Sequence, residues 1–420
     1  MIKDKDLALK LLMEKADNDF LHTYEEISEI TGYSSRQLKR WMKPIREKKD
    51  MSSVLTHGNT GRQPVTTASS EEYSYLREFK KPYPRITIAQ FRDIFIEDVI
   101  SNPDRQDDVI RYGLKPRSTE WFRQLFIKEG WESPAVRPSR KTDGREAHPI
   151  REPMAREGEL VQIDGTEFDW FQNGTTYTLH SSVDDATSEV LSGWFMPTEC
   201  TTGYCYMMRM IIENYGKPEA LYSDRHSIFR SVKNGTVSQF GMMMDDLGIK
   251  MIFALSSQAK GRVERYNQTE QLRLVNDITR FHITDVQQLN TWYNSFYRHY
   301  LNKKFSYLPR DPNVAFTPMP ENFNYAKIFR GRMTRNLYND MISFQKNYYS
   351  LIDENGKVLS LNNGTKVNVY LDVFTRELYV ERYGKKYTCI KVGTRKRTPV
   401  EEADNEKEVA ALLRSYRGQK

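Results

Sequence analysis

The first fifty residues carry apolar side chains at helical spacing, separated by short polar stretches. Three stripes recur at intervals of three or four residues: Leu7, Leu11 and Leu12; Ile27 and Ile30; and Leu38, Trp41, Met42 and Ile45. Apolar residues with this period are typical of an amphipathic helix that buries one face. The pattern therefore predicts three helices between residues 5 and 48.

Signals for helix ends divide the same region. Residues 23–26 and 34–37 fit the capping-box pattern that begins a helix, and Gly32 between them marks a tight turn. A short helix, a glycine turn and a basic helix are the outline of a helix-turn-helix, which predicts a DNA-binding domain over 1–50. Pro44 should kink or end its last helix. The side chains that avoid the apolar stripe of this helix, and are expected to contact DNA, are Arg36, Gln37, Lys39, Arg40 and Lys43.

A second helical region follows a polar linker. Residues 51–70 are rich in Ser, Thr and Gly, a composition typical of linkers. Two further stripes predict a second, helix-turn-helix-like DNA-binding domain over 71–133. These stripes are Phe91, Ile94, Phe95 and Val99, and then Trp121, Phe122, Leu125 and Phe126. Residues 134–157 form a basic linker suited to following a phosphate backbone. The predicted DNA contacts in the second domain and the basic linker are Arg117, Arg123, Arg140 and Lys141.

The middle of the chain, residues 158–305, changes to alternating strands and helices. Strands are predicted at 160–164, 176–183, 189–195, 220–223 and 250–255, and helices at 201–215, at 236–247 and from Gly261. Asp184 and Asp185 are expected to form a turn. The order β-β-β-α-β-α-β-α is that of the ribonuclease H-like α/β fold, although order alone identifies a fold weakly.

The remaining third of the chain is mostly β. Residues 284–300 favour a helix, 306–332 a connector, and 333–395 a small SH3-like β-barrel. The barrel strands are predicted at 342–351, 365–373, 377–383 and 386–392, and the tail at 396–420 is charged. The expected fold class is multidomain α+β: helix-turn-helix domains, a ribonuclease H-like core and a barrel. Basic residues of the barrel are expected to contact DNA flanks or a second protomer.

Composition limits the classes of function. There are 63 Lys and Arg against 56 Asp and Glu, a net charge of +7 that permits a nucleic-acid partner without establishing one. Cys200, Cys205 and Cys389 lack metal-ligand spacing, which argues against a zinc finger and for a reducing compartment. No signal peptide is evident, and no stretch approaches the ~20 apolar residues that span a bilayer. The sequence predicts an intracellular protein that makes no membrane contact.

Three acidic residues have positions suited to phosphodiester chemistry. Asp164 ends the first core strand, Asp224 directly follows the fourth, and Glu264 lies in the first turn of the helix after the fifth. Cleaving a phosphodiester bond is helped by two divalent cations roughly 3.5–4 Å apart, which carboxylates hold. Taken singly, each Asp fits an ordinary turn and Glu264 an ordinary helix start. As a set they are predicted to be the catalytic, metal-binding residues.

The segments around these residues resemble a known family. Residues 162–165 (Gln-Ile-Asp-Gly), 222–229 (Tyr-Ser-Asp-Arg-His-Ser-Ile-Phe) and 258–265 (Gln-Ala-Lys-Gly-Arg-Val-Glu-Arg) resemble the catalytic core of the retroviral-integrase superfamily. More narrowly, they resemble bacterial insertion-sequence DDE transposases of the ISNCY group, and the resemblance covers most of the chain. It implies cleavage at the element's ends followed by attack of the freed 3′-hydroxyl on target DNA.

The resemblance also implies cofactors and partners. Two Mg²⁺ ions per site are expected, with Mn²⁺ able to substitute; Asp164 would bridge both, Asp224 would complete one and Glu264 the other. The partners would be double-stranded DNA, as terminal inverted repeats and target, and further copies of the chain in at least a dimer. The expected location is the bacterial cytoplasm, on DNA.

Polar side chains near Glu264 form the last set of expected DNA contacts. They are Lys260, Arg262, Arg265 and Gln268. The alternative is that these side chains only solvate a helix. Two rival functions also stay open at this point: a domesticated DNA-binding regulator without catalysis, and a ribonuclease H-like nuclease that cuts DNA but never joins it.

Overall fold

The computed structural model divides the chain into two compact units, Met1–Ser74 and Tyr75–Lys420. The structure describes residues 3–48, 54, 67–134, 151–224, 226–229, 237–254, 261–394 and 404–414. Within these ranges, no helix has the length and apolar character needed to cross a membrane.

The first unit contains the three predicted helices. They are α1 (Lys5–Asp17), α2 (Tyr24–Thr31) and α3 (Ser35–Lys48). The capping box at the start of α2 is present, because the Thr23 side chain accepts from the backbone N–H of Glu26 and the Glu26 carboxylate accepts from the backbone N–H of Thr23. Gly32 ends α2 at φ 72°, in the left-handed region that glycine adopts without strain. The sequence signals for these helix ends are therefore confirmed.

The core of this unit corrects two expectations. Leu9, Leu12 and Ile27 are buried with the stripe of α3, whereas Leu7 and Ile30 are 37% and 54% exposed. Both residues lie in predicted stripes but point away from the core. On α1 the packed face is formed by Ala8, Leu9 and Leu12, which leaves Leu7 outside it. Pro44 does not end α3, which continues to Lys48.

The second unit begins within the next helix and opens with a helical segment. Its helices are α4 (Ser70–Lys80), α5 (Ile88–Phe95), α6 (Gln106–Arg111) and α7 (Thr119–Glu129), and a π-helical turn (Ile96–Ile100) extends α5. Both predicted stripes pack together, with ring centroids of Phe91 and Phe122 5.5 Å apart in an edge-to-face arrangement. Whether this segment is a DNA-binding domain stays a prediction.

A five-stranded sheet follows, with helices in the predicted order. The strands are β1 (Val161–Phe168), β2 (Tyr177–Asp184), β3 (Val190–Met196), β4 (Ala220–Ser223) and β5 (Lys250–Phe253). The helices are α8 (Thr201–Asn214), α9 (Gln239–Asp246), α10 (Gly261–Arg280), α11 (Val286–Trp292) and α12 (Arg298–Phe305), with a π-helical turn (Tyr293–Tyr297) joining the last two. The spatial order is β3-β2-β1-β4-β5; β1, β4 and β5 are parallel and the β1–β2–β3 pairings antiparallel.

Helices cover both faces of this sheet. α8 and α9 pack on one face through Met207, Met208 and Phe240, and α10 packs on the other through Leu274 and Ile278. Because β1 and β4 are parallel, their carboxyl ends meet at one edge of the sheet. Ligands of open α/β sheets bind at such an edge.

The C-terminal region is a six-stranded antiparallel sheet that differs from the expected strand bounds. After the short helix α13 (Tyr325–Ile328) come β6 (Arg330–Leu337), β7 (Met341–Phe344), β8 (Asn347–Ile352), β9 (Thr365–Asp372), β10 (Leu378–Arg382) and β11 (Lys385–Thr394), followed by α14 (Asp404–Arg414). β6 begins inside the predicted connector. The predicted strand 342–351 is a hairpin that turns at Gln345 and Lys346, both with positive φ. Two-residue hairpin turns usually contain Asn and Gly, and neither is present here. The sequence therefore gave no signal for this turn.

The C-terminal sheet and the central sheet share one apolar core. Val161 and Leu221 belong to the same buried cluster as Met333 and Leu371. At the edge of β6, the Gln239 side chain donates to the carbonyl of Arg332 at 3.0 Å and accepts from its N–H at 2.8 Å. Gln239 thus takes the place of a neighbouring strand at this edge. That the sheet forms a barrel stays a prediction.

Candidate active site

Asp164 and Asp224 belong to neighbouring segments of the central sheet. Asp224 directly follows β4, as predicted, whereas Asp164 lies within β1, which continues to Phe168 and does not end at Asp164 as the sequence predicted. β1 and β4 pair Val161 with Leu221 and Gln162 with Tyr222. Continued by two residues, this register sets Asp164 beside Asp224, and adjacent strands are about 4.8 Å apart. The two predicted carboxylates therefore share one edge, although 60 residues separate them in sequence.

A side chain of α10 holds Asp164 directly. The Nδ2 of Asn267 donates to Asp164 Oδ2 at 2.9 Å, and its Oδ1 accepts from the Ser181 hydroxyl at 3.0 Å. Asn267 is 5% exposed, so both contacts are shielded from water. A hydrogen bond to a carboxylate is stronger than one between neutral groups. Asn267 consequently fixes the position of one carboxylate oxygen.

Glu264 lies one helical turn before Asn267. Side chains three residues apart are neighbours on one helix face. The N–H of Val263 donates to Gln162 Oε1 at 3.3 Å, so the start of α10 lies alongside β1. Among the described residues, no three His, Cys, Asp or Glu side chains converge closely enough to hold a metal ion. Assembly of the three predicted carboxylates around metal stays a prediction.

A buried carboxylate anchors the start of α10. Asp185 is fully buried and accepts from Gln162 Nε2 at 2.7 Å and from Arg262 at 3.4 Å, and it also pairs with Arg151. Asp184 beside it accepts from the N–H groups of the following turn, as the sequence analysis expected. Arg262, a predicted DNA contact, is therefore at least partly committed to Asp185.

Residues after Asp224 turn back onto it. The N–H of His226 donates to Asp224 Oδ1 at 2.9 Å, while the His226 ring is exposed. Accepting a hydrogen bond from the backbone N–H two residues later is a common role for Asp. Residues 225 and 230–236 lie outside the described ranges.

A second buried assembly borders the site from the side of α8. The Tyr204 hydroxyl donates to Glu199 Oε1 at 2.7 Å, and Tyr204 is fully buried. Burial, and then the charge of Glu199, raise the pKa of Tyr204 well above its usual value, and the charges of Asp164 and Asp224 contribute in the same direction. All three carboxylates therefore act on one phenol.

His180 supports this assembly. Its Nε2 accepts from the N–H of Cys200 at 3.0 Å, and its Nδ1 lies 2.9 Å from the carbonyl of Trp194. Burial lowers the pKa of His180 to about 4, so the ring is neutral near pH 7. A Cβ on Gly203 would lie 2.4 Å from the ring, so glycine is needed for this packing.

The predicted DNA contacts differ in exposure. On α3, Arg36, Lys39, Arg40 and Lys43 are exposed and Gln37 half-exposed. Elsewhere, Arg123 pairs with Glu120, Arg265 and Gln268 are exposed, and Arg117 is 8% exposed with its guanidinium over the Trp121 ring. Arg140, Lys141 and Lys260 lie outside the described residues. Binding by any of these side chains stays a prediction.

Sequence reasoning missed two residues of this region. Asn267 had a usable signal, because it lies three residues after Glu264 on the same helix. Glu199 follows β3 and had none in its own neighbourhood. The sequence feature that relates to Glu199 is the glycine at position 165, because a Cβ there would lie 2.7 Å from the Glu199 carboxyl carbon.

No family model matches the chain. It is 36% identical over 304 residues to a protein of Sinorhizobium fredii that carries the name transposase y4bF. The match covers 71% of this chain and 62% of y4bF, so the chain spans less than two thirds of that relative. It is 29% identical over 379 residues to the transposase for insertion sequence IS1202 of Streptococcus pneumoniae, covering 84% of this chain and 79% of that one.

Solved structures show partial likeness. A chain of the simian T-cell lymphotropic virus intasome, in complex with a PP2A regulatory subunit, has a TM-score of 0.31 at 16% identity, covering 61% of this chain and 86% of that one. The HTLV-2 integrase catalytic core, in complex with magnesium, has a TM-score of 0.27 at 20% identity, covering 33% and 85%. The two sequence relatives confirm the resemblance to transposases. By sequence, the chain is similar to two transposases, one of which is the transposase for a bacterial insertion sequence.

Proposed function

We propose that this chain is a DDE-type transposase that cuts DNA at the ends of an insertion sequence and joins the freed 3′-hydroxyls to target DNA. The observation that supports it most is the placement of Asp164 and Asp224 at one sheet edge, beside the helix that carries Glu264. Two transposase relatives that each match most of this chain support the same reaction.

The donor chemistry of the three predicted residues suits divalent cations. Asp164, Asp224 and Glu264 would supply carboxylate oxygens, the ligands that Mg²⁺ prefers, and few protein ligands leave room for water and phosphate. We propose that they hold two such ions, with Mn²⁺ able to substitute. When bound, the ions stabilise charge on the attacking and leaving oxygens of a phosphodiester.

The chain's own residues prepare the site for this chemistry. Asn267 fixes the Asp164 carboxylate, so the carboxylate needs no reorientation when the substrate binds. Asp185 fixes the start of α10 against β1 and so sets where Glu264 stands. The sheet order and element order support a ribonuclease H-like core for the catalytic region.

The remaining parts of the chain would recognise DNA. The exposed basic face of α3 supports a helix-turn-helix that reads terminal inverted repeats, through Arg36, Lys39 and Arg40. We propose a further contact with DNA from the C-terminal sheet, as a small barrel, and action as a homo-oligomer on paired ends. The protein would then act on DNA in the bacterial cytoplasm.

The test uses a supercoiled plasmid that carries the ends of the insertion sequence encoding this chain. Purified protein is incubated with it in Mg²⁺, and nicked and joined products are counted for wild type, Asp164→Asn and Glu264→Gln. Asp245→Asn is the matched control, because Asp245 is an exposed acid on α9 that makes no part of the site. Wild type and control should cut and join, while both site variants bind the ends without cutting.

The other outcomes of this experiment would contradict the proposal, and two of them would favour a rival function. Tight binding of the ends without any cutting by wild type would favour a DNA-binding regulator. Cutting without joined product, lost in both site variants, would favour a nuclease that performs no strand transfer. Cutting that survives Asp164→Asn would remove this carboxylate edge as the active site.

A further inference from the structure

Glu199 lies against Gly165, the residue that follows Asp164. A Cβ on Gly165 would lie 2.7 Å from Cδ and 2.9 Å from Oε1 of Glu199, closer than real contacts allow. The carboxylate of Glu199 therefore lies over the backbone of the residue that follows Asp164. Any larger residue at position 165 would displace it.

The carboxylate is also held in this place. The fully buried Tyr204 donates its hydroxyl to Glu199 Oε1 at 2.7 Å. The chain that follows Glu199 is fixed, since His180 accepts from the N–H of Cys200 and packs against Gly203. A half-buried acid that is positioned by a buried tyrosine, a buried histidine and two glycines is not a surface charge free to move.

We propose that Glu199 is a positioning residue of the carboxylate site, where its fixed negative charge beside Asp164 and Asp224 strengthens the binding of divalent cations. The proposal rests on the proposed function, because Asp164 and Asp224 are taken as the ligands. Glu199 acts on the ions through the electrostatic field and through the placement of the β1 backbone. Charges act over several ångströms at the partly exposed edge of a protein.

The experiment measures cation binding without DNA. Full-length wild type, Glu199→Gln and Asp164→Asn are titrated with Mn²⁺ by calorimetry, and the thermal unfolding of the metal-free proteins is recorded. Gln keeps an oxygen that accepts from Tyr204 but removes the charge. Glu199→Gln should weaken Mn²⁺ binding about tenfold, as expected for one unit charge near the ions, without lowering the unfolding temperature of the metal-free protein.

Cleavage provides a second readout. Glu199→Gln should need about tenfold more Mg²⁺ for half-maximal cutting, and should approach wild-type rate at saturating Mg²⁺. A purely structural residue would instead lower the rate at every Mg²⁺ concentration. Unchanged Mn²⁺ affinity in Glu199→Gln overturns the inference, whether or not the variant is less stable.

Two controls keep the conclusions separate. If Asp164→Asn also binds Mn²⁺ and cuts DNA as wild type does, the proposed function fails; if only Glu199→Gln is unaffected, the role of Glu199 alone fails. Should Glu199→Gln not fold, Tyr204→Phe decides, since it keeps the charge but releases the carboxylate from its hydrogen bond. Weaker Mn²⁺ binding by Tyr204→Phe supports the inference, and wild-type binding overturns it.

Discussion

Replacement of Asn267 tests whether a fixed Asp164 carboxylate matters to the reaction. Asn267→Ala removes the 2.9 Å hydrogen bond to Asp164 Oδ2 and the acceptor for the Ser181 hydroxyl. A hydrogen bond to a charged group contributes about 1.5–3 kcal/mol. If the reaction depends on the position of Asp164, the whole of this energy is lost from the transition state, and about 1.4 kcal/mol corresponds to a tenfold change in rate. The cutting rate should fall about 10- to 150-fold.

Asn267→Asp should be more severe than Asn267→Ala. It keeps the size of the side chain and the acceptor for Ser181, but it sets a carboxylate against Asp164 where a donor stood. Like charges at this distance repel, and the pair would share a proton. The contrast between the two variants separates the loss of a donor from the loss of packing.

The assay is single-turnover cutting of the plasmid described above, at saturating Mg²⁺, with thermal unfolding of each protein. Thr269→Ala is the matched control, because Thr269 lies on the same helix and its hydroxyl donates to the backbone carbonyl of Arg265. A rate for Asn267→Ala within about threefold of wild type, at equal unfolding temperature, would refute the reasoning.

Three further predictions concern stability. Burial raises the pKa of Glu270 from an ordinary 4.5 to about 8, so the folded state keeps a proton that the unfolded state releases. The free energy of unfolding should therefore fall as the pH rises from about 4.5 to 8. Glu270→Gln should flatten this dependence on pH, as measured by urea denaturation. An equal slope in the variant would contradict this. Gln90→Ala removes a buried donor to Asp277, at 3.1 Å, and should cost about 2–4 kcal/mol by the same method; a cost under about 1 kcal/mol would mean that water replaces the amide. Gly193→Ala places a Cβ 2.5 Å from the Tyr293 ring and should lower the free energy of unfolding by about 1–3 kcal/mol. An unchanged free energy of unfolding would mean that the ring moves aside without strain.

Local features of the fold were accessible from the sequence. The capping box at Thr23 and the strand Ala220–Ser223 depend on residues within a few positions of one another, and both were predicted. The hairpin turn at Gln345 and Lys346 was not, because left-handed backbone conformations there are imposed by strand pairing rather than by residue type. Leu7 was assigned to the core because periodicity gives the width of an apolar face but not its centre.

The candidate site divides in the same way. The three carboxylates have a sequence pattern because apolar strand segments and helix starts are local, although β1 does not end at Asp164 but continues to Phe168. The contact between Asp164 and Asn267 has no local pattern, since the two residues are 103 positions apart and meet through the docking of α10 on β1. The one local signal for Asn267 is its place three residues after Glu264 on the same helix. Glu199 is a similar case. The residue related to it in the sequence is Gly165, which has no side chain and so did not indicate a site.

The apolar cluster that joins the two sheets has a consequence for how this protein comes apart. Because Val161 and Leu371 belong to one core, and Gln239 completes the edge of β6, the C-terminal sheet should not melt ahead of the catalytic region. Both should unfold in a single cooperative transition. A shortened chain that ends before Arg330 would expose the apolar surface of α8 and α9. It should therefore aggregate in solution and should not serve as a minimal nuclease.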